Sequence, residues 1–113
     1  MWLGKRVGKL VSNCIYHTVK AAIGEITSPT EVEAIDGLLM ATQYDIPWRD
    51  DIFKGWDYYD ISQSFEFRKA GYKVMVLPAD EPWCFHDDGI LELSEYYKTR
   101  DIFMQEYSDM LSC

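Results

Sequence analysis

The chain has 113 residues, 48% of them hydrophobic and 15% aromatic, with 19 acidic against 11 basic side chains for a formal charge of −8. That is one domain's worth of chain, with enough Trp, Tyr and Phe for a core that needs no disulfide or metal staples. The acidic balance argues against a nucleic-acid binder, which draws affinity from clustered Lys and Arg, and no stretch approaches the roughly 18 apolar residues that span a bilayer.

Three cysteines, Cys14, Cys84 and Cys113, form an odd set without a CxxC pair, so neither a disulfide framework nor a Cys-rich zinc site is indicated. The start of the chain, Met1-Trp2-Leu3-Gly4-Lys5-Arg6, lacks the apolar run of a signal peptide. A cytoplasmic, reducing location is the expectation.

In chain order, residues 6–11 and 15–20 are β-compatible runs with Ser12-Asn13 between them, which predicts a hairpin. Residues 31–36 alternate polar and apolar, Gly37 interrupts them, and residues 38–42 continue as an apolar run, so a strand, a kink and a further strand or helix start are expected. The kink would re-aim Asp36 toward a site. Tyr44 to Gly55, with Pro47, Trp48 and Asp50-Asp51, reads as an irregular surface loop. A helix is predicted from Asp57 to Ala70, with Tyr58, Ile61, Phe65 and Arg68 at three- and four-residue spacing and Gly71 at the stop position. Residues 72–77 then read as a strand ending at Pro78. A second irregular stretch, 79–89, holds Pro82, Trp83 and His86-Asp87-Asp88-Gly89. The tail from Ser94 to Leu111 reads as a second helix, with Tyr96, Phe103, Tyr107 and Met110 or Leu111 along one face and Ser94 as N-cap.

Three groups of residues have the chemistry of a site. Asp57 and Asp60 lie within one turn at a helix start, where a carboxylate facing a cleft serves as general base toward a hydroxyl. The same pair equally fits a capping box that complements the helix dipole. His86-Asp87-Asp88 offers an imidazole and carboxylates suited to Mn²⁺ or a related cation, although adjacent residues rarely all reach one ion; a solvated loop with a partly buried His fits as well. His17 has no sequence neighbour to act with. Trp48, Trp56, Tyr58, Tyr59 and Trp83 lie in or beside the irregular segments, and flat rings of this kind pack in cores or against sugar rings.

Read together, residues 32–42 (VEAIDGLLMAT), 53–61 (FKGWDYYDI) and 67–74 (FRKAGYKV) resemble the C-terminal half of a family 2 glycosyltransferase. The closest likeness is to the bacterial family 2-like group related to the streptomycin-biosynthesis glycosyltransferase domain, whose Trp-Cys-X-His-Asp segment matches Trp83 to Asp87. The resemblance is strongest over 32–89. It implies a GT-A fold that moves a sugar from a nucleotide-sugar donor to an acceptor hydroxyl, usually with a divalent metal, Mn²⁺ or Mg²⁺. By this resemblance Asp57 or Asp60 is the catalytic base, Asp36-Gly37 shapes the acceptor side, and His86 lies at a metal or diphosphate contact, while Trp56 and Trp83, by their rings and placement, are the candidate substrate contacts. Tyr58 stands where the family pattern has its second acid, which leaves the base open between Asp57 and Asp60.

No Asp-X-Asp metal motif occurs in the chain, and no nucleotide-binding βαβ half precedes Glu31. The expected fold is therefore α/β, a partial GT-A-like mixed sheet with flanking helices and the N-terminal nucleotide-binding half missing. Residues 1–113 then form one acceptor-side domain, inactive alone, with an exposed face suited to self-association. The alternatives are a non-catalytic carbohydrate-binding or protein-interaction module whose aspartates are helix caps, and a small metal-dependent hydrolase built on His86, for which one His leaves too few ligands.

Overall fold

The computed structural model describes residues 2–3, 6–10, 19–23, 27–78, 85–86 and 93–111, with side chains over 27–78 and 93–111. In chain order the elements are β1 (Trp2–Leu3), β2 (Arg6–Leu10), β3 (Val19–Ile23), β4 (Thr30–Val32), α1 (Tyr59–Lys69), β5 (Val74–Val76), β6 (Phe85–His86), α2 (Tyr96–Glu106) and a 3-10 turn at Ser108–Met110. The α/β class holds. Among the described residues the strands pair as two-stranded antiparallel ladders, β2 with β3, β4 with β5 and β1 with β6. The expected hairpin is present with its second strand displaced from 15–20 to Val19–Ile23, so that Leu10 faces Val19 and Arg6 faces Ile23. Ser12-Asn13, His17 and the three cysteines lie outside the described residues.

Helix α1 stops as its sequence predicts. Gly71 sits at φ 93, its N–H donates to the Arg68 carbonyl at 3.0 Å, and the Tyr72 N–H donates to the Phe67 carbonyl at 3.0 Å, closing the last carbonyls. Its start differs from the expected Asp57. The first helical residue is Tyr59, and the N-cap position is Tyr58 at φ 64, without a side-chain cap. A bulky residue in the left-handed region is uncommon, and packing is what holds it there. The Tyr58 ring is buried, 5.2 Å from Phe103 and 5.3 Å from Tyr96, and its hydroxyl donates to Tyr96 Oη at 3.1 Å.

The larger core is aromatic. Phe53, Tyr58, Phe65, Phe103 and Tyr107 are buried together, with Tyr96, Met110 and Leu111 packed against them. The face predicted for the tail helix is thus the face α2 buries, although its N-cap is Glu95 rather than Ser94 and no side chain caps it. A smaller cluster of Val32 and Val74 gathers Ile35, Phe67 and Val76. Helix α1 contributes Phe65 to the first cluster and Phe67 to the second, so it has no single apolar stripe. Ser62, Gln63 and Ser64 are buried on it as a result. Arg49 holds the 44–55 loop to both helices, at 2.9 Å from Asp51, 2.7 Å from Glu106 and 3.5 Å from Glu66.

The strand expected over 31–36 ends early because its later residues bond to a helix instead of a ladder. Arg68 Nη1 donates to the Glu33 carbonyl at 3.5 Å, the Ile35 N–H donates to Ser64 Oγ at 3.2 Å, and the Gly37 N–H donates to Asp60 Oδ2 at 2.8 Å. Alternate residues of an extended chain advance about 6.6 Å, and every fourth residue of a helix advances about 6 Å. Residues 33, 35 and 37 therefore meet 68, 64 and 60 in turn. The segment is stitched antiparallel to α1, and the last stitch brings the Asp36-Gly37 turn onto Asp60.

Candidate functional site

Asp60 lies in the first turn of α1, partly buried. Its Oδ2 accepts from the Gly37 N–H and its Oδ1 from the Ile61 N–H, each at 2.8 Å. Burial raises the carboxyl above its ordinary value and the charge of Asp36 adds to that, against the opposing effect of the two backbone donors. The net direction is upward. Each carboxylate oxygen retains a lone pair, so the group holds the turn and still accepts a proton.

Asp36 is exposed, and its Oδ1 accepts from the Leu38 N–H at 3.0 Å in an Asx turn. Gly37 is required for space. A Cβ there would overlap the Tyr59 hydroxyl and stand 2.6 Å from Cζ of the same ring. Gly37→Ala is therefore expected to cost about 1–3 kcal/mol and to separate the turn from Asp60; chemical denaturation measures the first effect, and exchange of the Gly37 amide proton reports the second. Slow exchange at residue 37 in the Ala variant would contradict it.

Tyr59 stands over this turn, and burial together with the charges of Asp60 and Asp36 raises its phenol, keeping it protonated. Its ring lies 6.2 Å from Trp48 and 6.5 Å, edge-on, from Trp56. Trp56 is 89% exposed and Trp48 is 48% exposed. An unburied indole packed on the ring that stands over the Asp36-Gly37 turn offers a flat apolar surface, the kind that suits the face of a sugar ring.

The structure brings Asp36, Gly37 and Asp60 together, with Trp56 nearby in the chain and joined to them through Tyr59. Asp57 is half-buried just before the N-cap and makes no cap hydrogen bond. The capping-box reading of Asp57 is thus corrected, because the left-handed Tyr58 delays the helix by two residues. Asp57→Ala is expected to change stability by less than about 0.5 kcal/mol in urea unfolding, whereas loss of a true cap costs about 1 kcal/mol. His86 pairs through its backbone with Trp2, and its side chain lies outside the described residues, as do Trp83, Asp87 and Asp88. Among the described residues no group of three His, Cys, Asp or Glu side chains is placed to hold a metal ion.

The sequence reading did not find Ser64 and Arg68, which set the 33–37 segment, or the placement of Tyr59 on Gly37. Asp60, Ser64 and Arg68 at four-residue steps do make a stripe. It is polar, and a polar stripe ordinarily marks the solvent face of a helix.

The sequence model of one family, described as a glycosyltransferase-like family, matches residues 1–107. The match includes the Asp36-Gly37 turn, the Asp57 to Asp60 segment and His86. No curated protein and no solved structure matches the chain. No helix among the described residues is long and apolar enough to cross a membrane.

Proposed function

This chain belongs to the glycosyltransferase-like family, and from that premise we propose that it is the acceptor-side portion of an enzyme that moves a sugar from a nucleotide-sugar donor to an acceptor hydroxyl. The observation that supports the reading is the Gly37 N–H bonded to Asp60 at 2.8 Å, which joins two segments 23 residues apart into one acidic site. Asp60 takes the proton of the acceptor hydroxyl. The acceptor oxygen then bonds to the anomeric carbon as the bond from that carbon to the diphosphate breaks, and the nucleoside diphosphate leaves with the electron pair. Direct displacement of this kind inverts the anomeric centre. The bond to Gly37 favours Asp60 as base over Asp57, and burial raises its carboxyl, which makes it a stronger proton acceptor near neutral pH. Asp36 and Trp56 border the acceptor side, with Asp57 and Trp83 as further contacts.

The described residues do not complete a metal site, and no step above depends on one. A divalent cation, Mn²⁺ or Mg²⁺, would neutralise the departing diphosphate, and His86 is this chain's proposed contribution to holding it. The remaining proposals are a GT-A fold, kinship with the bacterial streptomycin-type group, a cytoplasmic location, and inactivity of residues 1–113 without a donor-binding partner half. The exposure of Met75 and Leu77 at β5 supports association through that face, with the donor half or with a second copy.

A carbohydrate-binding module is the second reading, favoured by the fact that both Asp60 oxygens are engaged by backbone N–H groups. The test is sugar transfer by the native protein from a panel of uridine, guanosine and thymidine diphosphate sugars. Product with any donor supports the transferase, and glycan binding without transfer from every donor supports the module.

A further inference from the structure

Ser64 lies one turn beyond Asp60 on α1, and at 1% exposure it is among the most deeply buried of the described residues. The helix itself gains nothing from it. Ala is a better helix former, and a serine hydroxyl that bonds back to the carbonyl four residues earlier slightly destabilises a helix. That bond is present, with Ser64 Oγ donating to the Asp60 carbonyl oxygen at 2.9 Å. With its proton committed to Asp60, the hydroxyl has lone pairs left, and it accepts from the Ile35 N–H at 3.2 Å. One hydroxyl thus joins the residue that carries the carboxylate to the segment that carries the Asp36-Gly37 turn. The neighbouring bonds do less to place that turn. Those given by the Leu38 and Tyr44 N–H groups and the Thr42 hydroxyl reach acceptors two residues away, and the Arg68 bond to the Glu33 carbonyl is long at 3.5 Å.

We infer that Ser64 is a positioning residue for the transfer reaction: by holding Ile35 on α1 it fixes the Gly37 N–H on Asp60 Oδ2, and so fixes which way the carboxylate faces. The inference rests on the transferase reading with Asp60 as base. Because the extended segment and the helix advance by nearly the same distance, holding residue 35 on residue 64 sets residue 37 on residue 60. The converse follows. Without the hydroxyl, the partly buried Ile35 N–H has no acceptor, and an unbonded group of this kind is drawn toward water. The Gly37 bond two residues on is then strained or lost, and the carboxylate is no longer held on that side. Misplacement of a reacting group by about 1 Å costs up to about 10²-fold in rate, so a residue that touches no reacting atom still governs the chemical step.

The experiment compares Ser64→Ala, Ser64→Cys and Met110→Ala. Amide exchange at Gly37 and titration of the Asp60 carboxyl are followed by NMR on the full chain, and kcat and donor KM are measured on the native protein. Cys nearly keeps the side-chain volume but bonds weakly, so it removes the hydrogen bonds with the packing in place. Met110 packs against the aromatic cluster, and its truncation is the control for lost stability alone. Both Ser64 variants are expected to exchange the Gly37 amide about tenfold faster than the parent. Their Asp60 carboxyl should titrate away from the parent value, since the Gly37 N–H acts on it. Their kcat should fall about tenfold with donor KM unchanged. Met110→Ala should lower the unfolding midpoint and leave the other readings at parental values. Parental Gly37 exchange or parental kcat in a folded Ser64 variant overturns the inference, as does an equal change in Met110→Ala. Absence of sugar transfer by the native protein is a different result, which removes the transferase reading and the role of Ser64 with it.

Discussion

Asp60→Asn is expected to lower kcat for sugar transfer by about 10²- to 10⁴-fold in the native protein, the usual contribution of a positioned general base. Thermal unfolding should move by no more than about 1 kcal/mol. The two halves of this expectation have one cause. In the folded chain the Asp60 carboxyl is raised above its ordinary value of 3.8 by burial first and by Asp36 second. The folded state therefore binds the proton more tightly than the unfolded state, and the contribution to stability falls as pH rises from the ordinary value through the folded one. At neutral pH the ionised carboxylate is a net cost to the fold. Asn removes that charge, and its carbonyl still accepts from Gly37, although the bond from Ile61 is weakened. Paired measurements of kcat and the unfolding midpoint decide the matter. Transfer within a fewfold of the parent would remove Asp60 as base, and a collapse of stability would make it chiefly a clamp on the 36–37 turn.

Phe103→Ala is expected to cost about 3–5 kcal/mol, the loss for a buried Phe whose surroundings relax only in part. Phe103 is fully buried, with ring centroids of Tyr107 at 4.9 Å, Phe65 at 5.0 Å and Tyr58 at 5.2 Å. Phe103 lies on α2, Phe65 on α1, and Tyr58 and Tyr107 cap the two helices, so one truncation opens the joint between them. A domain of this size is stable by about 5–15 kcal/mol in total, which places the variant near the limit of folding at 37 °C. The same truncation removes a ring that packs on Tyr58 and holds its left-handed backbone. Equilibrium urea unfolding reads the effect, and a cost below about 1 kcal/mol would show that the aromatic cluster is not the core.

Where one local signal governs, the sequence is legible. Gly71 stops α1 because a left-handed residue was needed there, and the buried face of α2 follows from apolar residues at three- and four-residue spacing. Helix α1 is less legible because it is covered on two sides, so Ser62, Gln63 and Ser64 are buried where the pattern predicts solvent. Its start depends on Tyr58, whose residue type disfavours the backbone it adopts and whose placement is set by Phe103 and Tyr96, 45 and 38 residues further on in the chain. The site divides in the same way. The Gly37 kink points to Asp36, the helix start points to Asp57 and Asp60, and the resemblance supports both, but no local pattern states that Gly37 bonds to Asp60 rather than Asp57. That choice follows from the register of 33, 35 and 37 against 68, 64 and 60.

The most direct test of Asp60 as the base is to follow its carboxyl carbon by NMR while measuring kcat/KM for transfer over the same acidic range. The account predicts that the carboxyl titrates above the ordinary 3.8, and that activity falls, as pH is lowered, through that same titration. A carboxyl titrating at or below the ordinary value, or an activity limb that does not follow it, would contradict the assignment.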